Sequence, residues 1–130
     1  MGLSVIDTSV LIGVLTPDDV HHERAVQALK QARHQNDIVI PVVAFSESLV
    51  APYRRSAKAG REFEHDIMAI GRVEPATREV ASQAARLRAR GQLKLPDALV
   101  VATGIVLRAT EVLTFDEQWR NLDPRVRCLG

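Results

Sequence analysis

Short apolar runs alternate with longer amphipathic stretches along this chain, and the alternation predicts strands separated by helices. Leu3-Ser4-Val5-Ile6 reads as a short buried strand. It ends at Asp7-Thr8-Ser9, three residues of N-cap type, after which Val10 to Leu15 continues as an apolar helical turn or two. Thr16-Pro17-Asp18-Asp19 is a turn followed by a cap. From Val20 to Gln35, Ala25, Leu29 and Ala32 fall on one side while Glu23, Arg24, Lys30 and Arg33 are left to water, as in an amphipathic helix. Ile38-Val39-Ile40 is a second strand closed by Pro41. A helix from Val42 to roughly Ala59 is stopped by Gly60, and another from Arg61 to Ile70 is ended by Gly71. Arg72-Val73-Glu74 is a short strand, and the Ala-rich stretch Thr77 to Arg90 is a helix closed by Gly91.

Pro96 sits where a helix accepts proline, just inside its start, with Asp97 in the first turn. Ala98 to Leu107 is apolar on nearly all sides, which predicts a helix buried between layers. Glu111 to Thr114 is a strand leading to Phe115-Asp116, and Val126 to Leu129 is a last short strand. Strands alternating with helices predict an α/β protein: a three-layer α/β/α sandwich around a central parallel sheet. Ligands gather beyond the carboxyl ends of such strands. Asp7 and Asp116 both lie immediately after predicted strands.

The 130 residues suit one compact domain spanning 1–130, and 46% hydrophobic content is enough to build a core. Lys+Arg of 17 against Asp+Glu of 16 leaves a net charge of +1, so a nucleic-acid surface would require local segregation of charge. Cys128 is the single cysteine, which excludes an internal disulfide and a cysteine-based zinc site. No basic leader opens the chain. Its longest apolar run, Ala98 to Leu107, is far short of the ~20 residues that span a bilayer. A soluble, cytoplasmic protein is the expectation. Gly-x-Gly, a phosphate-cradling loop ending in Gly-Lys-Ser/Thr, and Gly-x-Ser-x-Gly are all absent from the sequence. His21, His22, His34 and His65 lack ligand spacing and read as a solvated helix face.

The acids carry the remaining chemistry. Singly, Asp7 reads as the cap of the helix after it, Asp97 as a complement to its helix dipole, and Asp116 as the cap of a short turn. Glu47 stands within Val42 to Val50, a segment mostly fit for burial, with no basic residue in helical reach before Arg54. Either a cation or a solvent-facing edge accounts for it. Two acids at strand ends and one at a helix start can converge on one crevice. Crowded carboxylates repel, and an oxygen-only donor set suits Mg²⁺ or Mn²⁺.

At these residues the chain resembles the PIN-domain ribonucleases, and within them the VapC-type toxins of toxin–antitoxin pairs. Val5-Ile6-Asp7-Thr8-Ser9-Val10-Leu11-Ile12 looks like their first strand with its metal-binding aspartate, and His21-His22-Glu23-Arg24-Ala25 like the start of their second helix. Phe45-Ser46-Glu47-Ser48-Leu49 is similar to the helix bearing their glutamate. Leu95 to Ala102 is similar to their central acidic helix start, and Val112 to Asp116 to their last acidic strand end. The resemblance runs from about Leu3 to Leu129. It implies a Mg²⁺- or Mn²⁺-dependent endoribonuclease acting on RNA, with Asp7, Glu47, Asp97 and Asp116 as the catalytic, metal-holding acids. It also implies a homodimer silenced by a cognate antitoxin protein. Thr8 and Thr114 match hydroxyl positions that orient an acid or a water. Trp119 stands where an aromatic, usually Phe, follows the last acid.

Two basic groups, Arg54-Arg55-Lys58-Arg61 and Arg86-Arg88-Arg90-Lys94, flank the acid-bearing helices and could guide RNA phosphates. A phospho-receiver domain is a poor rival, because Asp7 is followed by Thr8 and no lysine occurs after Lys94. An RNA-processing nuclease without an antitoxin is the nearer alternative. A non-catalytic PIN-like binding module would be expected to have lost an acid. Apolar residues beyond one buried stripe, in Val10 to Leu15 and Phe45 to Val50, point to interfaces.

Overall fold

The computed structural model describes residues 2–91 and 93–130. Strand β1 (Gly2–Ile6) leads into α1 (Thr8–Leu15) and α2 (His22–Gln35), and β2 (Asn36–Pro41) into α3 (Val42–Arg55) and α4 (Ala57–Ile70). Next come β3 (Arg72–Glu74), α5 (Arg78–Arg90), α6 (Leu95–Val106), β4 (Glu111–Thr114), a single 3-10 turn (Glu117–Trp119) and β5 (Val126–Cys128). The strands form one sheet in the order β3-β2-β1-β4-β5, and every pairing is parallel. The expected three-layer sandwich is therefore the observed one.

Its strands are short and buried because both sheet faces are covered: Val5, Ile6, Val39, Ile40, Val112 and Leu113 are almost wholly enclosed. Helices α1 to α4 follow β1 and β2 and pack on one another, whereas α5 and α6 pack as a pair and return the chain to β4. Chain order runs outward from β1 through β2 to β3, then crosses back to β4 on the other side of β1. That reversal puts the switch point of the sheet at the carboxyl ends of β1 and β4, the place where parallel sheets bind ligands.

Helix α6 fills the layer behind this switch point. Ala98 and Val100 through Gly104 are buried, and Thr103 Oγ1 returns its proton to the Leu99 carbonyl at 2.8 Å. A Cβ at Gly104 would collide with Val112, so glycine is what allows α6 to lie against β4. The helix begins at Leu95, earlier than the apolar run alone implies, with Pro96 in its first turn.

Two sequence expectations are corrected here. Gly60 does not stop a helix: α3 ends at Arg55, and Ser56 caps α4 through its Oγ, which accepts from Ala59 N at 3.0 Å. Gly60 is then a buried residue inside α4, in contact with the Tyr53 ring. Nor do the histidines all face water. His21 stacks on Phe115 with ring centroids 4.1 Å apart, and a ring nitrogen of His22 lies 2.7 Å from the Gly13 carbonyl. The short turn after α1 folds α2 back across it, which brings these two rings inward. His34 and His65 are exposed as expected.

Candidate active site

Asp7 is the first residue past β1, 5% exposed, and its carboxylate is held on both oxygens. Oδ1 accepts from Ser9 Oγ at 2.6 Å and from Val10 N at 3.1 Å, the latter being the cap of α1. Oδ2 accepts from Thr114 Oγ1 at 2.7 Å. These hydroxyls tie the two strand ends together, since Thr114 Oγ1 accepts from Asp116 N at 2.9 Å and Ser9 Oγ from Phe115 N at 3.1 Å. Burial pushes the Asp7 carboxyl above its ordinary value; the three donors oppose the rise and the negative charge of Asp97 adds to it.

Asp97 enters from the first turn of α6 and is half-buried. Burial raises its carboxyl too, followed by the charges of Asp116 and Glu47, while Lys94 and the indole of Trp119 act in the opposite direction. Asp97 is thus the hub: its charge is felt by Asp7 and it feels those of the other two. Asp116 is half-buried, and its Oδ1 accepts from Gln118 N at 2.9 Å, capping the 3-10 turn. Glu47 lies on the exposed side of α3, where its Oε1 accepts from Thr8 Oγ1 at 3.0 Å. Glu47 faces solvent, so burial does not by itself call for a cation there. Capping and clustering coexist at Asp7 and Asp116, so their ordinary structural roles do not exclude a second one.

None of the ion pairs among the described residues involves these four acids. Like charges within reach of one another disfavour the fully ionised state, which the Lys94 charge opposes at Asp97. Among the described residues, no group of three or more His, Cys, Asp or Glu side chains forms a ready-made metal cage. An all-oxygen donor set nevertheless fits a hard divalent cation. Mg²⁺ keeps several waters and takes only one or two carboxylates directly.

Sequence reasoning missed two residues of the site. Ser9 was visible only as one of three capping types, yet it links Asp7 to the β4 end. Trp119 is 1% exposed, and its Nε1–H makes no hydrogen bond of normal geometry among the described residues. Its N–H nevertheless favours the charged form of the Asp97 carboxylate, the smallest of the influences on that group. A buried donor left in this way costs about 1–3 kcal/mol.

Fold and site together define a parallel α/β protein with acidic residues beside its topological switch point. The sequence pattern of the PIN domain matches residues 4–124, and the chain belongs to that family. No curated protein matches it. Among solved structures it is similar to a toxin–antitoxin complex from Klebsiella pneumoniae (21% identity, 98% of each chain covered, TM-score 0.81). It is also similar to FitAcB from Neisseria gonorrhoeae (20%, 97% of each, 0.78). A third likeness is to Mycobacterium tuberculosis VapC20, described as a sarcin–ricin-loop-cleaving toxin (19%, 89% of this chain and 92% of that one, 0.71). At such identities the likeness establishes a shared fold. No helix among the described residues is long and apolar enough to cross a membrane.

Proposed function

We propose that the protein is a metal-dependent endoribonuclease of the VapC type, the toxin of a toxin–antitoxin pair, with Asp7, Glu47, Asp97 and Asp116 as its catalytic acids. The observation that supports the reading is the mutual charge of these acids beside the β1/β4 switch point: Asp116 and Glu47 raise the Asp97 carboxyl, and Asp97 raises that of Asp7. The toxin–antitoxin complex and the sarcin–ricin-loop-cleaving toxin that share this fold across most of its length support it.

Asp97 and Asp7 are the acids assigned to hold Mg²⁺ or Mn²⁺, with Glu47 and Asp116 completing the set. When bound, the cation supplies a more acidic water and offsets charge on the scissile phosphate. Ser9 and Thr114 keep Asp7 from turning away. Thr8 engages Glu47 Oε1, leaving Oε2 as the oxygen available to take a proton from water. Lys94, exposed beside Asp97, is the basic residue best placed to meet an RNA phosphate.

Purified protein stripped with EDTA should leave RNA intact and recover cleavage on addition of Mg²⁺ or Mn²⁺. Asp97→Asn should lower the restored rate at least on the order of a hundredfold, the loss typical when one group is taken from a pre-organised site. Cleavage that persists in EDTA, or in a folded Asp97→Asn variant at the wild-type rate, overturns the reading. Co-expression with a neighbouring small open reading frame should rescue growth and co-purify a second chain. Failure of both would leave a free-standing RNA-processing nuclease.

A further inference from the structure

We infer that Trp119 is a positioning residue of the acidic site, its buried indole N–H serving as the donor that fixes the Asp97 carboxylate when a divalent cation binds. The inference rests on the metal-dependent reading above and deepens it. Buried polar groups are nearly always hydrogen-bonded, so an orphan donor in the core calls for a cause. The backbone around Trp119 gives it no freedom to find another partner. Trp119 N donates to the Asp116 carbonyl at 3.1 Å, Leu122 N donates to the Trp119 carbonyl at 3.1 Å, and the cap on Gln118 N comes from Asp116 itself. With the ring 1% exposed, the indole cannot swing out to water.

The placement is also selective. Asp116 and Trp119 stand on one turn that follows β4, whereas Asp97 arrives on a separate element, the first turn of α6. A donor on the turn that meets a carboxylate on the helix ties the two elements together. One Asp97 oxygen can then face a cation while the other faces the indole. Partners behind a metal ligand orient it in this way, and a charged carboxylate takes such bonds at their strongest. A phenylalanine could occupy the same apolar pocket without burying an idle N–H.

Trp119 is the chain's single tryptophan, so its indole N–H gives one isolated cross-peak in a ¹⁵N–¹H spectrum. On titration of the wild-type protein with Mg²⁺, that peak should move with the same concentration dependence as the amides of Asp97 and Ala98. Amides that move while the indole stays still overturn the inference. A spectrum in which nothing moves shows that Mg²⁺ does not bind, and the metal reading falls with it. Trp119→Phe should weaken Mn²⁺ binding about tenfold. Because that change could unsettle the core, the indole is also replaced by the isosteric benzothiophene side chain, which keeps the shape and lacks the donor. The same loss of Mn²⁺ affinity is expected, at an unchanged metal-free Tm. Unchanged affinity in the isostere overturns the inference.

Discussion

Burial raises both Asp7 and Asp97, but the two carboxylates respond differently to the loss of their charge. Asp7 accepts from two hydroxyls and a backbone N–H. An amide there would turn one acceptor into a donor facing Thr114, whose Oγ1 already accepts from Asp116 N. Asp7→Asn is therefore expected to abolish cleavage and also to lower stability by about 1–3 kcal/mol, read as a shift in the urea midpoint. Asp97 has no such ring of donors, and its carboxyl sits above the ordinary 3.8 through burial first and the charges of Asp116 and Glu47 second. Between 3.8 and the raised value the folded protein binds more protons than the unfolded chain, so stability falls as pH rises through that window. The penalty is then fully present at neutral pH. Without metal, Asp97→Asn should raise Tm by about 2–5 °C at pH 7, and the advantage should vanish once pH drops below the ordinary carboxyl value. Mg²⁺ should raise the wild-type Tm and leave that of Asp97→Asn unmoved; a variant that melts below metal-free wild type at pH 7 contradicts the electrostatic account. Asp7 and Asp116 stood out as candidates in the sequence because Asp7 directly follows β1 and Asp116 lies two residues past β4. Glu47 is a candidate only through the family resemblance, since the burial argument for it fails on an exposed face. Ser9 and Trp119 were not legible, because their roles depend on which strand end and which helix start they meet.

At the scale of elements, helix interiors could be read from apolar periodicity, whereas the ends followed from local hydrogen bonds that periodicity does not encode. Gly60 looked like a stop and is an interior residue, because Ser56 supplies the cap a turn earlier. The end of α6 shows the converse. Ala109 N donates to the Gly104 carbonyl at 2.9 Å and Arg108 N to the Ile105 carbonyl at 3.1 Å, the paired bonds of a Schellman ending. That motif requires a left-handed residue, and Arg108 supplies it at φ 53° instead of the usual glycine. A side chain in that region costs about 1–2 kcal/mol, partly offset by glycine's greater freedom in the unfolded chain. Arg108→Gly should stabilise the protein by about 0.5–1 kcal/mol in urea titrations. Arg108 is exposed and lies at the far end of α6 from Asp97, so cleavage should be unchanged. A loss of stability would show that the Arg108 side chain makes contributions beyond its backbone conformation.

The whole molecule was legible as a parallel α/β sandwich because strand and helix periods alternate in order. The strand order was not, since nothing in an apolar run says which neighbour it pairs with, and the order is what puts the switch point between β1 and β4. The apolar excess noted in Val10 to Leu15 and Phe45 to Val50 divides likewise. In α1, Val10, Leu11 and Gly13 are buried and the rest are half-buried, so that segment is spent on the core. In α3 the excess stays outside: Val42, Val50 and Tyr53 are 37%, 45% and 43% exposed, beside a groove of about 500 Å³ that Phe45, Ser46 and Leu49 complete. Water gains nothing from such a surface, and an apolar groove of this kind on a small protein marks an interface. A second copy placing its own α3 there would be self-complementary, the isologous contact of a two-fold dimer. At micromolar concentration, light scattering coupled to gel filtration should therefore return twice the mass of one chain. Val50→Glu should raise the dimer Kd at least about thirtyfold, the ~2 kcal/mol of a buried interface residue, while its circular dichroism stays that of wild type. A wild-type protein that remains monomeric removes the second copy as occupant of the groove and leaves the proposed antitoxin as the partner to test there.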